Sequence, residues 1–146
     1  MKNPRNLLWL VLLIAVASSL QYLRPRSFSV EGEGIAPGTQ TVQQAFEQRS
    51  KGKWLESTGQ VVKLLKDDLK GSRHQRFIVK VPGGLTVLIS HNIDLAPRLP
   101  LQKGCQLSFR GRYEWNEKGG VVHWTHRDPQ GRINGGWIEC RGKRYR

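Results

Sequence analysis

One segment constrains the fold of this chain more than any other: "CQLSFRGRYEW", residues 105–115. Apolar or small residues occupy every second position, and polar or charged residues occupy the positions between them. Side chains of a strand point alternately to its two faces, so this period of two indicates a β-strand with one face toward a core. The segment therefore predicts a half-buried strand.

Other segments of the chain also have the composition or the alternation of strands. They are residues 54–66, 74–81, 85–91 and 121–127, and a last short hairpin at 136–146 with Arg141-Gly142 at its turn. Between 92 and 100, two prolines permit no more than one helical turn. A short helix is predicted to begin after Thr41 as N-cap and to stop at Gly52.

The order of these elements is three strands, a short helical connection and two more strands. This is the order of the OB-fold, a five-stranded, partly open barrel that binds oligonucleotides and oligosaccharides. We therefore predict an all-β domain with short helices, a small OB-like five-stranded barrel, over residues 41–146. A small barrel of the SH3 kind and an open β-sandwich are the alternatives.

The N-terminal segment, residues 1–23, has the pattern of an export signal or membrane anchor. Lys2 and Arg5 precede the apolar run "LLWLVLLIAVA", and Ala15-Val16-Ala17 is a small-x-small cleavage site. If it is uncleaved, residues 7–23 would anchor the chain in a membrane. Residues 24–40, rich in Gly, Pro and Ser, would be a flexible tether. We expect an exported protein, periplasmic or anchored in the inner membrane with its domain outside the cytoplasm.

The charge balance bears on the partner. Twenty-four Lys and Arg against eleven Asp and Glu give a net charge of +13. A chain this basic favours an anionic partner, such as nucleic acid, acidic polysaccharide or phospholipid headgroups.

The hairpin at "GRYEWNEKGGVVHWTHR" contains the candidate binding residues. With Trp115 opposite Val121, Arg112 faces Trp124 and Arg110 faces His126, which predicts a stacking platform surrounded by cations. The predicted ligand-binding residues are Arg110, Arg112, Trp124 and His126, with His91 and Tyr113 at the rim. The competing interpretation is that Arg over Trp packing only covers the sheet.

A second hypothesis gathers histidines and carboxylates at one barrel mouth. His91, His123, His126 and Asp128, with Asp94 nearby, would bind a divalent metal and support a hydrolase or nuclease. Two features oppose it: His123 and His126 are three apart, on opposite faces of a regular strand, and "DPQG" at 128–131 is a type I turn. The sequence contains no HExxH motif, nucleophile elbow, phosphate-binding glycine loop or paired-carboxylate motif. We therefore favour a protein that is not an enzyme and has no cofactor, and the divalent metal stays as the alternative.

The chain has two cysteines, Cys105 and Cys140. An exported protein would keep them as one disulfide, and two buried free thiols are the alternative. Their spacing does not indicate a metal site, which would need close pairs of cysteines.

The strings "HNIDLAPRLP", "GRYEWNEKGGVVHWTHRDPQGR" and "GWIECRGKRY" resemble the pattern of a bacterial family named domain of unknown function 3465. The resemblance covers roughly residues 54–145 and implies a small β-rich bacterial domain, often behind an export signal. It implies no activity, cofactor or catalytic residue. The family pattern usually has an acidic residue at the position of Cys105 and a histidine at that of Cys140. The joint departure favours a bridge between the two cysteines and weakens a metal site that would use position 140.

The first hypothesis from the sequence is thus a non-enzymatic, OB-like binding module of the cell envelope for an anionic polymer or another envelope component. The metal-assisted hydrolase is the first alternative. A structural partner in a membrane complex, with no small ligand, is the second.

Overall fold

The computed structural model describes residues 40–146 of the chain. The chain divides into two units, Met1–Glu33 and Gly34–Arg146, and every described residue belongs to the second. The predicted signal or anchor (1–23) and nearly all of the predicted tether (24–40) lie outside the described residues. The elements are α1 (Val42–Glu47), β1 (Lys51–Leu64), β2 (His74–Lys80), β3 (Thr86–Asn92), β4 (Gln106–Glu114), β5 (Val121–His123), β6 (Trp137–Cys140) and β7 (Lys143–Tyr145).

Helix α1 begins as the sequence indicates. The hydroxyl of Thr41 accepts from the N–H of Gln44, and the side chain of Gln44 accepts from the N–H of Thr41, which is a capping box. The helix ends at Glu47, well before the predicted stop at Gly52, because Arg49 takes a left-handed conformation (φ 50°) and β1 already begins at Lys51. Among the described residues, no helix has both the length and the apolarity needed to cross a bilayer.

Five strands close into a barrel in the order β1-β2-β3-β5-β4, and β4 returns to pair with β1. Strand β1 is long enough to pair with both neighbours. Its residues up to Gln60 pair with β4, and its residues from Gln60 onward pair with β2, with a register shift between Val61 and Lys63. Strands β3 and β5 run parallel, and the other neighbours are antiparallel. The predicted all-β fold with an OB-like five-stranded barrel is confirmed.

The alternation of β4 places its apolar side chains inside the barrel. Phe109 and Tyr113 are fully buried there with Phe77 of β2 and Ile89 of β3. Strand β6 pairs with β4 on the edge opposite to β1 and extends the sheet. The Arg141-Gly142 turn then leads to β7, as predicted. This core fixes which residues of each strand face outward.

The predicted register of the β4–β5 hairpin is wrong by one residue. Glu114, and not Trp115, pairs with Val121, so Arg112 lies opposite His123. The side-chain oxygen of Asn116 accepts from the N–H groups of Lys118 and Gly120 and holds a longer turn than the predicted one. As a result, His123 points outward.

Candidate functional site

A cavity lies outside the barrel, where β2 begins and β3 and β5 end. Its volume is about 330 Å³, and the segment between β5 and β6 covers it. We call it the imidazole pocket, because three histidines line it. The lining residues are His74, Asn92, Leu95, His123, Trp124, His126, Asp128, Pro129, Gln130 and Arg132.

Three strands place polar side chains at this pocket. His74 at the start of β2 pairs with Asn92 at the end of β3, and His123 is the last residue of β5. These positions alternate with buried residues, so all three face outward. The pocket thus borders the β2–β3 face, which OB-folds use for oligonucleotides and oligosaccharides.

Trp124, the residue directly after β5, has an unusual backbone conformation. Its φ of 57° is left-handed, which costs a bulky residue roughly 1–2 kcal/mol. The conformation turns the chain away from β4 and stacks the indole on His126, with ring centroids 5.4 Å apart and planes at 25°. Gly136 approaches the carbonyl oxygen of Trp124 so closely that a Cβ there would overlap it. Backbone strain held by its surroundings is a recurring property of functional sites.

The prediction that His91 lies at the rim of the barrel is wrong. His91 is fully buried, its Nε2 donates to the carbonyl of Pro97 (3.1 Å), and its Nδ1 therefore accepts from the hydroxyl of Thr125 (2.8 Å). Burial lowers the pKa of His91 to about 4. Since Thr125 lies between Trp124 and His126, the neutral imidazole anchors the segment that covers the pocket.

His123 is half-buried, and the part of the chain that the structure describes leaves one of its ring nitrogens without a hydrogen bond. Its Nε2 is inaccessible to solvent and has no hydrogen-bond partner within residues 40–146. The carboxylate of Glu114 lies 3.7 Å away, too far for a good hydrogen bond. Burial lowers the pKa of His123, and the carboxylate of Glu114 opposes part of this change. His126 differs, because its Nδ1 donates to the carbonyl of Arg127.

Asp128 organises the covering segment. One carboxylate oxygen accepts from the N–H of Gln130, and the other accepts from the N–H groups of Arg132 and Ile133. These backbone hydrogen bonds, that of Gln130 first, lower the pKa of Asp128. The predicted turn at 128–131 is present, with the N–H of Gly131 donating to the carbonyl of Asp128. Both carboxylate oxygens are thus occupied by the fold.

The predicted platform is only half assembled. Trp124 and His126 stack on each other, but Arg110 pairs with Trp137 of β6, because Trp124 has left the strand. The guanidinium of Arg110 lies over the ring of Trp54 and forms an ion pair with Glu56 (3.0 Å). On the same outer sheet surface Arg144 lies over Trp137 and pairs with Glu139. We call this surface the arginine–tryptophan face: Trp54, Glu56, Arg110, Trp137, Glu139 and Arg144.

The two remaining predicted binding residues do not lie in the pocket. Tyr113, predicted at the rim, is fully buried, and its hydroxyl donates to the carbonyl of Gly119. Its position follows from the register of β4, which turns Tyr113 inward against Val122. Arg112 lies outside, beside Glu114 and opposite His123, but does not line the pocket.

The predicted metal ligands do not converge. Within residues 40–146, no group of three or more His, Cys, Asp or Glu side chains is placed to hold a metal ion. His91 is used inside the core and Asp128 caps a turn, which leaves His123 and His126 of the predicted set. Asp94 forms an ion pair with Arg73 instead.

Cys105 and Cys140 are free cysteines in the structure, one half-buried and one buried. They lie close enough for each thiol to affect the pKa of the other. The disulfide between them therefore stays a prediction.

Two basic residues of the pocket, His74 and Arg132, were missing from the sequence-based set. His74 begins a strand, and its pairing with Asn92 depends on the β2–β3 register. Arg132 lies in the covering segment, which has no periodicity. The adjacent Gly135 and Gly136 were the available signal, since such a pair marks a close approach of two backbone segments.

The comparisons with known proteins agree with the resemblance seen in the sequence. No curated protein matches the chain. The pattern of the family described as "Protein of unknown function (DUF3465)" matches residues 27–146, most of the chain. The chain therefore belongs to this family of proteins of unknown function.

Proposed function

We propose that the barrel is a non-enzymatic binding module that holds one unit of a single-stranded anionic polymer in the imidazole pocket. The observation that carries this proposal is the Trp124–His126 stack beside a cavity that His74, His123 and Arg132 also line. A tryptophan face stacks on a base or a sugar ring, and the guanidinium N–H groups of an arginine donate to phosphate or carboxylate oxygens.

The size and position of the pocket support this function. Its volume of about 330 Å³ is at the small end of ligand sites, which are about 300–1,000 Å³, and suits one ring rather than a whole ligand chain. The rest of the polymer would continue over the β2–β3 face. The net charge of +13 would attract a polyanion to the protein.

Single-stranded nucleic acid is the polymer class that we favour. Trp124 and His126 both have flat aromatic rings, and the two rings stack. Such a surface suits the flat face of a nucleobase better than a puckered sugar ring. An acidic polysaccharide is the competing ligand, and the binding experiment includes it as a separate arm.

Fluorescence anisotropy of the full-length protein with a labelled single-stranded oligonucleotide tests the proposal. Trp124→Ala should weaken binding roughly 5- to 150-fold, the effect of losing about 1–3 kcal/mol of stacking. Trp137→Ala, a tryptophan of the arginine–tryptophan face, is the matched control and should bind like wild type. Affinity should fall steeply as salt rises. Equal losses in the two variants, or affinity that ignores salt, would contradict the proposal.

A labelled polygalacturonate in the same assay distinguishes the polymer classes. Tighter binding of the polysaccharide, with the same loss in Trp124→Ala, would keep the pocket and change its ligand. If neither polymer binds to the folded protein, the alternative of a structural partner in a membrane complex replaces the binding module.

We further propose that the domain works outside the cytoplasm, in the bacterial envelope. The support is in the sequence: Lys2, Arg5, the apolar run at 7–17 and Ala15-Val16-Ala17. A reporter fused after Arg146 should be active on the outer side of the inner membrane. A reporter that is active only in the cytoplasm would contradict this location.

A further inference from the structure

The two cysteines and Arg141 form a cluster that shares no lining residue with the imidazole pocket. Cys105 borders a cleft of about 560 Å³, which we call the thiol cleft. Its lining residues are Gln102, Lys103, Gly104, Cys105, Gln106 and Arg141. The cleft therefore presents one thiol and two cationic side chains.

The backbone holds this cluster in place. Cys105 directly precedes β4, and its carbonyl accepts from the N–H of Val61 (2.8 Å). Cys140 ends β6 opposite Leu107, which is two residues beyond Cys105 along the chain. Residues two apart in a strand share a face, so Cys140 lies on the side of β4 toward which Cys105 points.

The β6–β7 turn brings a guanidinium to the cysteines. Arg141 and Gly142 both have positive φ (53° and 72°), the pattern of a type I′ hairpin turn. In this conformation Nη2 of Arg141 lies 3.7 Å from Sγ of Cys105. A cation at this distance stabilises a thiolate.

The two thiols differ in exposure and in acidity. Cys105 is half-buried at the cleft, whereas Cys140 is only 2% exposed. A hydrogen bond from the backbone of Gln102, together with Arg141, lowers the pKa of Cys105. Burial, together with the nearby Cys105, raises the pKa of Cys140. A more accessible thiol with a lowered pKa beside a buried thiol with a raised pKa is the asymmetry that thiol–disulfide exchange uses.

We propose that Cys105 and Cys140 are a redox-active dithiol that exchanges with a small anionic disulfide bound in the thiol cleft. Lys103 and Arg141 attract the carboxylates of this substrate, and its disulfide lies against Cys105. Cys105 is the attacking thiol, and Cys140 is the resolving thiol.

The exchange balances without a further reactant. The thiolate of Cys105 attacks one sulfur of the substrate RSSR, which forms a mixed disulfide and releases RS⁻. Cys140 loses its proton and attacks Sγ of Cys105, which forms the Cys105–Cys140 bond and releases a second RS⁻. The protons of the two cysteines end on the two released thiols. The protein loses two electrons, and the substrate gains them.

Oxidised glutathione, an anionic disulfide, is the probe, and the full-length reduced protein is followed by mass spectrometry. Wild type should form the internal disulfide without a lasting adduct, and Cys140→Ser should accumulate a glutathione adduct at Cys105. Cys105→Ser should react with oxidised glutathione at least about tenfold more slowly than wild type. An excess of reduced glutathione should reopen the bridge. A bridge that resists reduction would be a structural cross-link and would overturn the proposal.

Two controls test the cleft itself. When Arg141→Ala is added to the Cys140→Ser variant, its reaction with oxidised glutathione should become about tenfold slower. When Arg144→Ala, on the same hairpin, is added instead, the rate should stay unchanged. Cystamine, a cationic disulfide, should react more slowly than oxidised glutathione and should be insensitive to Arg141→Ala. Equal effects of the two arginine variants, or faster reaction at Cys140 than at Cys105, would overturn the proposal. Circular dichroism of each variant shows that it is folded.

Discussion

The imidazole pocket and the arginine–tryptophan face contain similar residues, but they differ in whether the polar groups of these residues already have partners within the protein. On the arginine–tryptophan face, Arg110 and Arg144 each lie over a tryptophan and form an ion pair with a glutamate. In the imidazole pocket, the tryptophan is held in a left-handed conformation beside a cavity, and Nε2 of His123 has no partner among the described residues. Aromatic and basic residues thus indicate a binding site only where the fold leaves their polar atoms unpaired.

Gly136 joins the two regions, and changing it should have the largest effect. A Cβ at Gly136 would overlap the carbonyl oxygens of Trp124 in the pocket and of Arg110 in β4, whose side chain belongs to the arginine–tryptophan face. Backbone atoms cannot move away as a flexible side chain can, so we expect Gly136→Ala to lower the free energy of unfolding by more than about 3 kcal/mol. Urea denaturation measures this change.

Gly131→Ala is the control, because a Cβ there meets open space and costs only the left-handed conformation, roughly 1–2 kcal/mol. Equal stability losses in the two variants would show that the close approach at Gly136 does not hold the pocket against the barrel.

Acid should loosen the imidazole pocket before it affects the other face. The pKa of His91 is about 4 in the folded protein against an ordinary value of 6.5, so the unfolded chain binds the proton more tightly. The contribution of neutral His91 is complete above pH 6.5 and is lost as the pH falls toward 4. The loss corresponds to about 3 kcal/mol, at 1.36 kcal/mol for each pH unit.

Denaturation of wild type and His91→Gln at several pH values between 7 and 4 measures this term. Gln cannot take up a proton, so its unfolding free energy should fall less over this range, and the difference between the proteins should narrow toward pH 4. Parallel curves would mean that His91 does not titrate with folding.

The sequence predicted the barrel well, because apolar and polar residues alternate cleanly in β2, β3 and β4. In each of these strands the alternation allows only one face to point toward the core. It predicted the site less well, because the site depends on tertiary contacts. The turn at Asn116 shifted β5 by one residue, and this moved His123 to the outer surface. No local propensity favours a left-handed tryptophan, so the exit of Trp124 from the strand could not be read from its neighbours.

Substitution of Arg110 or Arg132 should have the smallest effects. We expect Arg110→Ala to change stability but not binding, and Arg132→Ala to change binding but not stability. Arg110→Ala leaves Glu56 unpaired and removes the cation over Trp54, so we expect a stability loss of about 1 kcal/mol and normal polymer binding. Arg132 forms no ion pair among the described residues, so Arg132→Ala should leave stability unchanged.

The salt dependence of oligonucleotide affinity separates these two variants. Arg132→Ala should reduce the slope of log K against log salt by about 0.7, the value for one phosphate contact on a single strand. A reduced slope in Arg110→Ala, with none in Arg132→Ala, would place the polymer on the arginine–tryptophan face.

NMR of the imidazole and indole groups during titration with a single-stranded oligonucleotide tests most directly whether the imidazole pocket is the binding surface. We expect the signals of His123, His126 and Trp124 to shift together, while those of Trp54 and Trp137 stay in place. Shifts at Trp54 and Trp137, with the pocket histidines unchanged, would contradict a binding surface in the imidazole pocket.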